Sequence, residues 1–333
     1  MSSRLLLMSA AIALSTSTFA FGDEPKPDKI RVLIVDGQNN HDWKHTTPHM
    51  KKWLEACGRF AVDVATSPPA FQLKPPAKPK ADDGEEAQVK YKKAVAAFEA
   101  ARAEHIKAMA EFAPDFAKYN VVLSNYNGEP WSDSTNKSLE SLLSEGKIGL
   151  VIVHAANNSF PGKWKQYDEM IGLGWRGNNY GDRVTLDASG KEVRIPKGQG
   201  PGASHGAQHQ FTIVIRDASH PITKGMPSEW LHAQDELYHG LRGPAEHMHL
   251  LATAFSDKKF SGTGENEPMI WTVSYGKGRV FHTPMGHALE AMRCVGFIAT
   301  LQRGTEWAAT GEVTIPLPEN FPTAGKTSIV PAK

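Results

Sequence analysis

Cysteine is nearly absent from this chain, with only Cys57 and Cys294 among 333 residues. Two thiols on separate helical patterns cannot build a disulfide framework, so stability must come from a packed core. Both read as buried small hydrophobes, and whether they pair is left open. Neither sign of charge is in excess: 37 Lys and Arg stand against 36 Asp and Glu, a net charge of +1. That balance gives no electrostatic footprint for nucleic acid or an anionic membrane. No apolar run reaches the ~20 residues of a membrane-spanning helix. Also missing are H-E-x-x-H, the G-x-x-x-x-G-K-[ST] phosphate loop and cysteine pairs at zinc spacing. GWRGNNYG and GQGPGASHG are glycine-rich, but neither follows a strand and opens a helix. No nucleotide cofactor is expected.

What is present begins with a leader. Arg4 precedes an apolar core from Leu5 to Leu14, and small and polar residues then run to Thr18-Phe19-Ala20. This is the order of a secretory signal peptide over residues 1–20, which predicts export to the periplasm or the exterior. A membrane anchor is the competing reading, and the apolar core is too short for it.

The body opens with IRVLIVDG (Ile30–Gly37), a β-branched run ending in Asp-Gly. TTPHMKKWLEACG follows as a helix, with Thr47 as cap, Pro48 in the first turn and Gly58 as stop. FAVDVAT is a second strand. This β-α-β start argues for a doubly wound parallel sheet. An insertion at about 70–113 then interrupts the pattern. It has a Pro- and Lys-rich loop and one long helix, with Val95, Phe98, Ile106, Met109 and Phe112 in a stripe against the body. The alternation resumes with YNVVLSNYNG, a helix closed by Gly146, and IGLVIVHAAN. HQFTIVIRD, MHLLATAF and the pair PMIWTVSY-GKG-RVFHT add strands, and HALEAMRCVGFIATLQRGTEWAATG is the last helix. The domain spans about 28–316, with a tail over 317–333.

Histidine is abundant, with 14 residues, and it collects where strands end. His41, His45 and His49 follow the first strand, His154 ends a fully apolar one, and His282 and His287 flank the end of a late one. Asp235 and Glu236 sit in a loop with Tyr238 and His239. In open α/β sheets ligands bind beyond the carboxyl ends of the strands, which makes a shared pocket the leading reading. Unconnected surface histidines, and a hydrogen-bonded core role for His154, are the alternatives. Imidazole with carboxylate suits zinc or manganese, and it equally suits metal-free acid–base chemistry.

These same residues carry a resemblance. VDGQNNHDW (Asp36, Gly37, His41, Trp43), VIVHAANN (His154, Ala155), DASHPITKGMP (His220, Pro221, Ile222), DELYHGL (Asp235, Glu236, Tyr238) and PMIWTVSYGKGRVFHTPMGH resemble the ThuA-like, or trehalose-utilisation, family. The last stretch contributes Pro268, Trp271, Gly278, Arg279, His282, Gly286 and His287. The resemblance implies a class I glutamine amidotransferase-like fold, a flavodoxin-like three-layer α/β/α sandwich here carrying a helical insertion. It also implies a link to carbohydrate breakdown, beside dehydrogenases that make keto-sugars. In true amidotransferases the elbow after the central strand presents a cysteine flanked by glycines. Here that stretch is Val153-His154-Ala155-Ala156, so glutaminase chemistry is not expected.

The resulting expectation is an exported sugar-processing isomerase, lyase or hydrolase acting on a glycoside or keto-glycoside. A proton next to a carbonyl is acidic, so a positioned His with a carboxylate partner suffices for isomerisation or elimination. His154 and His282 are the candidates for base or metal ligand, and Glu236 for acid or metal ligand. His41 and Asp235 are the candidates for touching substrate or for holding the groups that do, and Trp43, Tyr238 and His287 for substrate contact. A non-catalytic carbohydrate-binding or scaffold module is the rival, since fold does not fix function. Oligomeric state is left open.

Overall fold

The computed structural model describes residues 29–187 and 189–332, so the leader over 1–20 lies outside the described residues. The chain runs β1 (Ile30–Asp36), α1 (Trp43–Ala56), β2 (Phe60–Thr66), α2 (Gly84–Glu111), β3 (Val121–Ser124), α3 (Asp133–Ser144) and β4 (Gly149–Val153). A 3-10 turn over His154–Asn158 leads to α4 (Lys165–Ile171), then β5 (Arg183–Leu186), β6 (Glu192–Ile195), β7 (Ser204–His205), β8 (Thr212–Ile215), β9 (Glu229–Leu231) and β10 (Tyr238–His239). It closes with β11 (Met248–Phe255), β12 (Asn266–Tyr275), β13 (Gly278–Thr283), α5 (Leu289–Met292) and α6 (Val295–Thr310).

The main sheet runs β2-β1-β3-β4-β13-β12-β11-β8-β9, with β5 and β6 attached beside β12. The first five strands are parallel and the rest antiparallel. β13 therefore takes the fifth place of a flavodoxin-like parallel sheet, although it comes late in sequence. β4 is buried along its whole length, as its unbroken apolar run requires of a central parallel strand. Met50 and Leu54 of α1 and Phe297 and Leu301 of α6 cover one face of the sheet. Leu139 and Leu143 of α3 and Met170 and Ile171 of α4 cover the other. This is the three-layer sandwich.

Three local expectations are corrected. α1 begins at Trp43, one turn early, and Pro48 lies inside the helix. Thr46 and Thr47 do not cap it; their hydroxyls accept hydrogen bonds from Asn125 at 3.1 and 2.9 Å. α2 is the long helix of the insertion, but only Met109 is buried and Ile106 is exposed, so its stripe touches the body shallowly. Cys57 is exposed whereas Cys294 is buried, and the two do not pair. The tail returns to the domain, where Val295 N–H donates to Ser328 and Val330 N–H to Arg293.

Candidate functional site

The loop after β1 and the ends of β4 and β13 meet above the parallel sheet. His154 follows Val153 with φ +48°, the left-handed region that a side chain with a Cβ rarely adopts. The elbow swings the imidazole out of the strand. Its Nδ1–H donates to the carbonyl of Pro284 at 2.7 Å, which leaves Nε2 as the free nitrogen. That Nε2 lies 3.3 Å from Nε2 of His41 and 2.9 Å from the Tyr238 hydroxyl. His41 is held in turn through Nδ1, 3.1 Å from Oδ1 of Asn40 and 3.3 Å from that of Asn39.

Glu236 supplies the carboxylate. Its Oε2 stands 3.7 Å from His154, 3.9 Å from His41 and 3.1 Å from Nδ1 of His287, and Oε1 is 3.5 Å from His205. Ligand atoms of His41, His154, Glu236 and His287 all lie within 4.8 Å of one another. Donors 2.0–2.1 Å from a tetrahedral zinc would stand roughly 3.3–3.4 Å apart. The observed separations bracket that figure. His287 Nδ1 is buried and makes no aligned hydrogen bond despite its nearness to Glu236, a nitrogen left aimed into the group.

The electrostatics follow from crowding. Burial, then the neighbouring His154 and His287, push His41 down to about 4. Burial also lowers His154. Contact with the Glu236 carboxylate raises His287. Burial alone would raise Glu236, but the surrounding imidazoles, His287 first, hold it below its ordinary value. His41 and His154 as neutral imidazoles and Glu236 as carboxylate are in the donor states a divalent cation requires, whereas His287 would give up a proton on binding one.

Asp235 takes the second of its two expected places, behind the groups that would meet substrate: its side chain is wholly inaccessible. Its carboxylate accepts the backbone N–H groups of Glu236 at 2.8 Å, Gly286 at 2.7 Å and His287 at 3.0 Å, and it pairs with His232 at 2.9 Å. Burial would pull His232 down, yet the hydrogen bond it donates to Asp235 and the nearby Cys294 hold it at about 9. Asp235 therefore fixes the main chain under both Glu236 and His287. Gly286 has φ +103°, and a Cβ there would meet the Phe297 ring at 2.9 Å, so the turn that brings His287 inward needs glycine.

His282 is a correction. It pairs in register with Ile152 and shares that residue's face, toward α4 rather than toward the histidine group. Its Nδ1–H donates to Ile171 at 3.0 Å, Nε2 accepts from Asn157 at 3.2 Å, and its ring packs on Trp271. Both nitrogens are occupied in the core, so neither can serve as base or ligand. His287 takes the place expected for His282. Trp43 also lies apart from the group, lining a neighbouring cavity. Tyr238 is buried, with its hydroxyl on His154.

Sequence reasoning missed His205 and His232 as site neighbours. His205 arrives on β7, paired with Tyr238 of β10, from the glycine-rich excursion. The i, i+3 spacing of His232 and Asp235 was the available signal.

Comparison with known proteins agrees with this fold. The family described as ThuA, trehalose utilisation, matches residues 31–308. This chain belongs to the ThuA family. A solved structure of a protein described as ThuA-like from Parabacteroides merdae is 38% identical, with TM-score 0.77, over 91% of this chain and 98% of that one. A second ThuA-like structure, from Bacteroides uniformis, is 15% identical with TM-score 0.50 over 89% of this chain and 97% of that one, and shows the fold alone. No curated protein matches. ThuA membership makes this a protein related to carbohydrate utilisation. Among the described residues, no helix is long and apolar enough to cross a membrane.

Proposed function

We propose that this ThuA protein is an exported sugar-processing enzyme. It acts on a glycoside or keto-glycoside through a divalent metal, zinc or manganese, held by His41, His154, Glu236 and His287. The observation that carries the reading is the convergence of three imidazole nitrogens and one carboxylate oxygen within 4.8 Å, at the carboxyl ends of parallel strands. Borderline-soft imidazole with one hard carboxylate is a donor set for those ions. Bound there, the ion would polarise a carbonyl or hydroxyl oxygen of the sugar. The chain's own residues do the rest. Pro284 fixes the His154 tautomer, Asn39 and Asn40 hold His41, and Asp235 holds the backbone beneath Glu236 and His287. The leader order supports export.

The Tyr238–His154 hydrogen bond at 2.9 Å favours a second reading, in which these two groups move a proton without a metal. Elemental analysis of protein purified without chelator, with turnover of oxidised disaccharides, separates the two. The expected result is about one zinc or manganese per chain and turnover lost on its removal. Full turnover by metal-free protein would leave only the second reading. Sugar binding with no turnover under either condition would make the protein a binding module.

A further inference from the structure

Two cavities open at the carboxyl ends of the parallel strands, and Asn40 lines both. One, about 490 Å³, has His41 and His287 in its wall and is the mouth of the histidine group. The other, about 550 Å³, lies between the loop after β1 with the start of α1, the loop after β3, and residues 69–72 of the insertion. None of the four clustered residues lines it.

We infer that this second cavity is a subsite for an uncharged sugar ring, so that the group beside it works on glycosides of at least two rings. The inference rests on the sugar-processing reading of the histidine group. The cavity's size is in the range of small-molecule sites. It also lies where β1 and β3 adjoin and their helices leave to opposite faces of the sheet, the switch point at which such folds bind ligands.

Its chemistry selects a neutral polyol. Half-buried Trp43 presents an indole, an apolar face with a polar edge. Asn40, Gln72 and Asn127 add amides, which both donate and accept without charge. Glu129 also lines the cavity, but its carboxylate is spent on Phe71 N–H at 3.1 Å and on His105. Among the described residues Lys44 is the one cation in the lining, and it lies 5.7 Å from the Trp43 ring. With no arginine fork among the described residues of the wall, a phosphate or carboxylate finds no bidentate partner there.

The wall is held in place. Gln38 Nε2–H donates to Pro68 O at 2.8 Å, and its Oε1 accepts the Glu129 N–H at 2.8 Å, tying the root of the insertion to the loop after β3. Asn40 joins the two cavities chemically, since its Oδ1 accepts from Asn127 at 2.5 Å and stands 3.1 Å from His41 Nδ1. The insertion that departs from the α/β alternation thereby supplies part of a second ring's binding surface.

Calorimetric titration of the full chain with methyl α-glucoside, trehalose, maltose and cellobiose, each native and oxidised to a keto form, tests this. Trp43→Ala and Gln72→Ala are measured alongside wild type. At least one disaccharide should bind about tenfold or more tightly than the one-ring glucoside in wild type. That advantage should collapse in Trp43→Ala and shrink in Gln72→Ala, while one-ring affinity stays unchanged. Gln72 is exposed, so its variant decides the matter if Trp43→Ala unfolds. Equal affinity for one and two rings, or an advantage retained in both variants, overturns the subsite and leaves the sugar reading standing. Absence of binding by every sugar sinks both.

Discussion

The imidazole of His154 is oriented by the carbonyl oxygen of Pro284, 2.7 Å away and 130 residues later in the chain. One strand end sets the tautomer of the histidine that another strand presents, and this pairing requires β4 and β13 to be neighbours. His154→Asn should therefore cost roughly 1–3 kcal/mol of stability for a disturbed buried hydrogen bond. Turnover should fall about 10²–10⁴-fold, far more than such a loss explains, because an amide neither takes up a proton near pH 7 nor replaces the imidazole donor. Melting curves and turnover on one preparation check it, and normal turnover with a lowered melting point would make His154 a core residue.

Asp235→Asn tests positioning. Removing the carboxylate leaves His232, held at about 9, with no anion beside it. It also weakens the acceptors under Glu236, Gly286 and His287. Metal affinity or activity should drop roughly 10–100-fold, the usual effect of losing a group that orients ligands. Stability should fall as well, by about 3–5 kcal/mol if His232 stays charged. Chelator competition and urea unfolding read the two effects, and unaltered metal affinity would deny Asp235 this role.

His282 predicts a pH dependence. Burial pushes it down to about 3 from an ordinary 6.5, so between those values the unfolded chain binds a proton that the folded one refuses. Its contribution to stability is complete above pH 6.5 and is lost as pH falls toward 3, at up to about 1.4 kcal/mol per pH unit. In His282→Gln, urea midpoints from pH 7 to 4.5 should fall less steeply by about one proton's worth, with metal content unchanged. Loss of metal in this variant would restore His282 as a ligand.

The thiols predict a labelling pattern. Cys57 is exposed and Cys294 buried, so a thiol reagent should modify one group in the native protein and two after unfolding. Changing both to alanine should leave sugar-dependent activity largely intact. Abolished activity in a folded double variant would establish an essential thiol.

Export predicts a mature chain beginning near Phe21. N-terminal sequencing of protein from the native host is the check, and an intact Met1 in a cytoplasmic fraction would refute it.

The sequence by itself determined that an α/β sheet would form and that His154 would stand at a strand's carboxyl end. It also marked the 70–113 stretch as an insertion. Each follows from local pattern: unbroken β-branched runs, a break in α/β alternation, and an apolar strand stopping at an imidazole. Only the tertiary structure decided between His282 and His287. His282 lies inside β13, where the two-residue alternation turns it toward α4, whereas His287 is brought inward by the Gly286 turn that Asp235 grips from a distant loop. The same holds for Asp235, whose burial depends on His232 and on two backbone amides some fifty residues away. Periodicity states which face of a strand a residue takes once the strand's neighbours are known. Those neighbours, and the loops that close over them, are set by packing between segments far apart in the chain.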